Sequence, residues 1–273
     1  MFVFFDIGDT LIDESDFARF RHASIYEFFR RRGCELTEDR YTADLMNLST
    51  QARMTFFEQL SWLAERNGGD TLLAMALFRD YMLQVAPEAP LRFHPFGDAL
   101  PTLQTLSARV EAERAEMEAA RRRYRLGIIA NQPTWIRTSM REWGLLDYFE
   151  PDCVVISDEV GVSKPRPEIF QFALAQVRVE PGDAVMVGND YTHDIEPAKR
   201  LGMHTIWVER EDPYSPGAPR ILDPAAADER VTQLAEVPAA LKRLARTATL
   251  AHANGRVHAR TARPRRASRP RTS

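Results

Sequence analysis

Short apolar runs, separated by helix-patterned sequence, constrain this chain's fold more than any other feature. Residues 2–7, rich in Phe, Val and Ile, read as a strand buried on both faces. Similar runs recur as LGIIAN (126–131), CVVIS (153–157), AVMVG (184–188) and HTIWV (204–208). Between the later runs lie helical patterns: TWIRTSMREW stopping at Gly144, PEIFQFALAQV starting after a proline, and DIEPAKRL stopping at Gly202. Strands without a polar face, alternating with helices, predict an α/β fold: a doubly wound parallel sheet with helices on both sides. Such sheets bind ligands beyond the C-terminal ends of their strands. Asp6, Asn131, Ser157 and Gly188 stand at those ends.

Residues 13–91 have a different pattern. Ser15 is placed to cap a helix whose apolar face holds Phe17, Phe20, Ile25, Phe28 and Phe29, and Gly33 ends it. Thr37 is placed to cap the next, with Tyr41, Leu45, Leu48, Ala52 and Phe56 at helical spacing. NGGD (67–70) breaks the chain before TLLAMALFRDYMLQVA, and PEAP (87–90) marks the return. With no strand signal here, the expected organisation is an α/β core of residues 1–12 plus 92–245 and an inserted all-helical cap of residues 13–91. Residues 107–123 read as a charged, solvated helix extension, with Glu118 and Arg122 at i,i+4 spacing.

Charge separates the body from the tail. From Arg246 onward there are eight arginines and no acids, while the preceding residues hold 28 bases against 39 acids. Residues 246–273 have too few large apolar groups to fold alone and read as a disordered basic tail. Contact with nucleic acid is expected only there, and only weakly. No apolar run approaches the ~20 residues that span a bilayer, so no membrane role is expected. MFVFFDIGDTLI lacks the basic start of a secretory leader and carries two aspartates. Cys34 and Cys153 have no metal or redox spacing and read as reduced thiols of a cytoplasmic protein. Lysine is scarce: only Lys164, Lys199 and Lys242. In an arginine-rich chain, the lysine of SKPRP is therefore a candidate for a specific task.

Four strand ends carry four signals: DIGDT, ANQP, SDEVGVSKPRPEIF (157–170) and VGNDYTHDIEPAKRLGM (187–203). In this order the segments resemble the haloacid dehalogenase (HAD) superfamily of hydrolases over nearly all of residues 1–245. The resemblance implies a Rossmann-like core with a helical cap between the first two motifs. It also implies Asp6 as a nucleophile that attacks a phosphoryl group to give an aspartyl-phosphate, which water hydrolyses. Lys164 would neutralise the phosphate as a compact charge, and Thr10 and Asn131 would join it in phosphate binding. A Mg²⁺ ion would sit among Asp6, the Gly8 carbonyl, Asn189, Asp190 and Asp194. The implied substrate is a small phosphorylated molecule.

The sequence departs from that pattern at three places. Gly8 and Asp9 reverse the usual order of acid then glycine, so the acid that protonates the leaving oxygen is missing. Asp9, one residue further on, is expected to point elsewhere as the chain leaves the strand. Ala130 replaces a phosphate-binding Ser or Thr, and Asn189 replaces a metal-binding aspartate. Losing a general acid typically costs about 10²–10⁴ in rate. These changes suit activated leaving groups or weak turnover. They leave two alternatives open: a HAD-fold binding module without turnover, and a metal-free dehalogenase-like hydrolase. Three carboxylates at Asp6, Asp190 and Asp194 argue against the second, because they would repel a haloacid. Asp194 could equally be a helix cap, and His193 reads as a solvent-facing neighbour.

Overall fold

The computed structural model describes residues 1–49, 54–116, 124–210 and 227–247. Among the described residues there are eight strands: β1 (Phe2–Phe5), β2 (Ile12–Asp13), β3 (His94–Pro95), β4 (Arg125–Ala130), β5 (Val154–Ile156), β6 (Ala184–Gly188), β7 (His204–Val208) and β8 (Glu229–Val231). The helices are α1 (Ser15–Arg31), α2 (Glu38–Ser49), α3 (Phe56–Arg66), α4 (Thr71–Gln84), α5 (Ala89–Arg92), α6 (Ala99–Glu116), α7 (Ile136–Glu142), α8 (Ser157–Val160), α9 (Pro167–Val177) and α10 (Glu196–Arg200). A last helix covers 237–247. The charged extension is helical as far as Glu116; the rest of it, and the tail from 248 on, lie outside the described residues.

Six strands form one parallel sheet in the order β5-β4-β1-β6-β7-β8. β1 explains why helices cover both faces. Its side chains alternate, and every one is apolar. Val3 and Phe5 enter one core with Leu103 and Leu106 of α6 and Ile136 and Met140 of α7. Phe2 and Phe4 enter the other, with Ile169, Phe170 and Ala173 of α9 and Ala198 of α10. Each of these phenylalanines is essentially fully buried, a gain of about 1.5–3 kcal/mol apiece.

Strand order reverses at β1, with β4 and β5 on one side and β6, β7 and β8 on the other. The C-terminal ends of β1, β4 and β6 therefore meet at the switch point where such sheets bind ligands. β1 is shorter than expected because the chain turns sharply after Asp6. The Ile7 carbonyl accepts from the N–H groups of Thr10, Leu11 and Ile12. β8 was not anticipated, since it is only three residues long with one buried apolar side chain.

All the described regular secondary structure between β2 and β3 is helical, and these two strands pair antiparallel where the chain leaves and returns. Thr37 Oγ1 accepts from Arg40 N at the start of α2. Ser15, in contrast, is not a cap: it is the first residue of α1, and its N–H donates to Asp13 Oδ1. Phe56 belongs not to α2 but to α3, which Thr55 and Glu58 start with a reciprocal capping box.

Candidate active site

Asp6 follows the last residue of β1, where its N–H still bonds the Val187 carbonyl of β6. It is 7% exposed, Lys164 4% and Asp194 0%. Lys164 Nζ lies 2.6 Å from Asp194 Oδ1 and also donates to Asp6 Oδ1. One buried ammonium thus bridges carboxylates from two strand-end loops. Burial works against the Lys164 charge, but Asp194 and Asp6 raise its pKa above the usual lysine value. Burial pushes the Asp194 carboxyl the other way from a free aspartate, upward, and Asp6 adds to that.

The loop after β4 holds the lysine backbone in place. Asn131 donates through Nδ2 to the Lys164 carbonyl (2.9 Å) and accepts at Oδ1 from the Lys164 N–H (2.8 Å). Asn131 was expected to bind phosphate; here both ends of its amide bond the Lys164 backbone. Thr10, also expected at the phosphate, is fully buried, with its hydroxyl 3.3 Å from Asp6 Oδ2 and 3.2 Å from Asn189 Oδ1. The indole of Trp207 donates to the Asn189 carbonyl (2.8 Å), which anchors that loop.

The two aspartates of the last loop, both expected at the metal, each have protein partners. Asp190 caps the turn Tyr191–Ile195, accepting from Thr192 N and His193 N and meeting His193 Nδ1 at 2.8 Å. Burial opposes its charge, but the His193 hydrogen bond holds its carboxyl below the usual value. His193 is raised in return by that hydrogen bond, so it is a partner of Asp190 rather than a solvent-facing neighbour. Asp194 is not the cap of this turn: its Oδ1 accepts from Lys164 Nζ and its Oδ2 from Asp190 N. Gly188 makes room for it. A Cβ at residue 188 would lie 2.3 Å from Asp194 Oδ2, so only glycine fits.

The Gly8–Asp9 reversal has a structural counterpart. Asp9 takes the left-handed conformation (φ 50°), and its Oδ1 accepts from the Glu14 N–H at 3.1 Å. It bonds the backbone at the start of α1. Glu14 and Gln132 were not anticipated. Gln132 Nε2 donates to Glu14 Oε1 at 2.6 Å, and both side chains border the Cα of Gly8. The only available hint was an acidic cluster, Asp13, Glu14 and Asp16, just past the loop. Spacing alone does not say which acid folds back.

Burial, with Asp9 and Asp6 nearby, pushes the Glu14 carboxyl up to about 7 from its ordinary 4.5. A carboxyl raised on folding stabilises the native state at low pH, and that contribution is lost as pH rises from about 4.5 to 7. Glu14→Gln removes the penalty. The variant is expected to gain on the order of 1–3 kcal/mol over wild type at pH 8 and nothing at pH 4. Denaturant midpoints at the two pH values check this; equal differences would refute it.

These loops fit one known family. The profile of the family described as haloacid dehalogenase-like hydrolase matches residues 3–208. The chain belongs to the haloacid dehalogenase-like hydrolases. Among its relatives is a glyceraldehyde 3-phosphate phosphatase of Methanothermobacter thermautotrophicus, 29% identical over 218 residues, covering 77% of this chain and 85% of that protein. A phosphoserine phosphatase of Thermus thermophilus is 36% identical over 132 residues, 46% of this chain and 48% of that one. Among solved structures, a HAD phosphatase from Thermococcus onnurineus matches with a TM-score of 0.56 at 26% identity, covering 88% of this chain and 96% of that one. Among the described residues, no helix is long and apolar enough to cross a membrane.

Proposed function

We propose that this HAD hydrolase is a phosphatase that cleaves a small phosphorylated molecule through an aspartyl-phosphate on Asp6. What carries the reading is the buried Lys164 ammonium, held between Asp6 and Asp194 at the switch point of the sheet. A phosphoryl group brings negative charge to a carboxylate, so the attack needs a fixed cation at that spot. The names of the relatives support the same substrate class. An Asp6 oxygen attacks phosphorus, the ester oxygen leaves, and water then cleaves the acyl phosphate.

Mg²⁺ fits this site as a sparse oxygen set. Asp6 Oδ2 and Asn189 Oδ1 both approach the Thr10 hydroxyl, so two hard donors face one small volume. Bound there, Mg²⁺ would offset charge on the phosphoryl oxygens. Asp190 and Asp194, also expected at the metal, are engaged by His193 and Lys164. Among the described residues no three His, Cys, Asp or Glu side chains converge as a metal cluster. One carboxylate and one amide carbonyl make a weak site, so millimolar Mg²⁺ is the sensible assay condition.

The test is release of inorganic phosphate from an activated aryl phosphate and from a panel of two- to four-carbon phosphomonoesters. Release from the aryl ester and at least one panel member is expected. Phosphate binding by calorimetry with no release from any ester would refute the enzyme and favour a binding module.

A further inference from the structure

Gly8 stands two residues after the proposed nucleophile and has no side chain, yet the volume beside it is not empty. An ideal Cβ on Gly8 would lie 2.4 Å from Glu14 Oε1 and 2.9 Å from Glu14 Cδ. The Glu14 carboxyl therefore occupies the space where a residue-8 side chain would begin.

That position is built rather than incidental. Gln132, from the loop after β4, donates to Glu14 Oε1 at 2.6 Å. The Glu14 N–H is held by Asp9 Oδ1 at 3.1 Å, and its carbonyl accepts from Ala18 N as the first turn of α1. Asp9 reaches Glu14 from a left-handed backbone that glycine would adopt more easily. The reversed Gly8–Asp9 pair thus does two things: it vacates one side-chain position and braces the residue that fills it.

The charged groups around Glu14 are Asp9, Asp6 and, two helical turns along α1, Arg21. The side-chain partner of the Glu14 carboxyl is the neutral amide of Gln132. A glutamine or leucine would fill the same space without placing a third acid beside two others. Such an arrangement makes sense where a carboxyl must exchange protons.

We propose that Glu14 is the acid–base residue of this enzyme, reaching the leaving-group oxygen from the place that residue 8 leaves open. The inference rests on the phosphatase reading above. In the first step an Asp6 oxygen forms a bond to phosphorus and the bond from phosphorus to the ester oxygen breaks. The Glu14 carboxyl gives its proton to that oxygen, releasing an alcohol and leaving Glu14 as carboxylate. In the second step Glu14 takes a proton from the attacking water. The new P–O bond forms, the bond to Asp6 breaks, and phosphate departs with both side chains restored.

The two steps need Glu14 unequally, and this provides the test. An alkoxide leaves poorly without a proton, whereas an aryl oxide leaves well; hydrolysis of the acyl phosphate needs the base in either case. Glu14→Gln keeps the size of the side chain and an acceptor for Gln132. It is expected to lose about 10²–10⁴ in turnover of an alkyl phosphate. With an aryl phosphate it should give a rapid burst of one phenolate per enzyme, followed by slow turnover as aspartyl-phosphate accumulates. A packing role would not produce that burst. A second variant, Gly8→Asp with Glu14→Ala, returns the carboxyl to residue 8 and should regain alkyl-phosphate turnover.

Unchanged rates in Glu14→Gln overturn the proposal, as does an equal loss on both esters without a burst. Failure of the double variant to regain any turnover, with its fold intact, also counts against it. A wild-type enzyme inert toward both esters overturns the phosphatase reading itself, and the proposal falls with it.

Discussion

With Asp6 replaced by asparagine, phosphate release is expected to fall by on the order of 10⁴-fold or more, since the attacking group itself is gone. The protein should nevertheless fold. Asparagine has nearly the size of aspartate; its carbonyl can still accept from Lys164 in place of Oδ1, and its NH2, in place of Oδ2, can donate to the Thr10 hydroxyl. The charge balance of the buried cluster even improves. In the wild type one ammonium serves two carboxylates; in Asp6→Asn it serves Asp194 alone, at 2.6 Å. Tm is therefore expected to hold or rise while activity disappears. Phosphate release and a thermal melt on the same preparation check both halves. A variant as active as wild type would remove Asp6 from the chemistry, and with it the reading of the whole site.

Lys164→Met is expected to lose both activity and stability. Methionine matches the lysine stem but leaves Asp6 and Asp194 facing each other in a buried site with no cation between them. Removing one partner of a buried pair costs about 3–5 kcal/mol. Here a second carboxylate is stranded as well, so the upper part of that range applies. Adding Asp194→Asn should return much of the lost stability, because one of the two stranded charges is removed. It should not return turnover, because the phosphoryl group still meets no ammonium. Denaturant melts of the single and double variants read the first effect and phosphate release the second. A wild-type midpoint for Lys164→Met would show that the cluster is not the buried charge network described above.

The contrast between the two variants comes from their place in one cluster. Deleting a carboxylate relieves an excess of negative charge; deleting the ammonium exposes it. An isolated surface pair would show neither effect at this size.

Much of the core was legible along the chain. FVFF, LGIIA, AVMVG and HTIWV are runs without a polar face, and a strand of that kind needs apolar cover on both sides. The helices between them follow from 3.6-residue patterning and proline or glycine punctuation. Asp6 and Lys164 were recognisable because each sits in a loop whose surroundings make its charge conspicuous: a carboxylate after an apolar strand, and a rare lysine among arginines. Local capping was less legible. Ser15 and Thr37 are equally good cap residues in isolation, but Thr37 accepts the bond, whereas Ser15 lies inside α1, where the Ala18 N–H it would cap already donates to the Glu14 carbonyl.

What the sequence determined by itself is therefore which segments become strands and helices, since periodicity and burial are properties of a segment. Which carboxylate meets which cation was decided only in three dimensions. Asn189, Asp190 and Asp194 share one loop, and no rule of spacing assigns them to Thr10, a cap and Lys164 respectively. The same holds for Glu14, whose neighbour Gln132 is 118 residues away in the chain and whose place exists only because Gly8 lacks a side chain. Such partners are chosen by sheet order and by the direction in which each loop leaves its strand, and neither is written in any single stretch of residues.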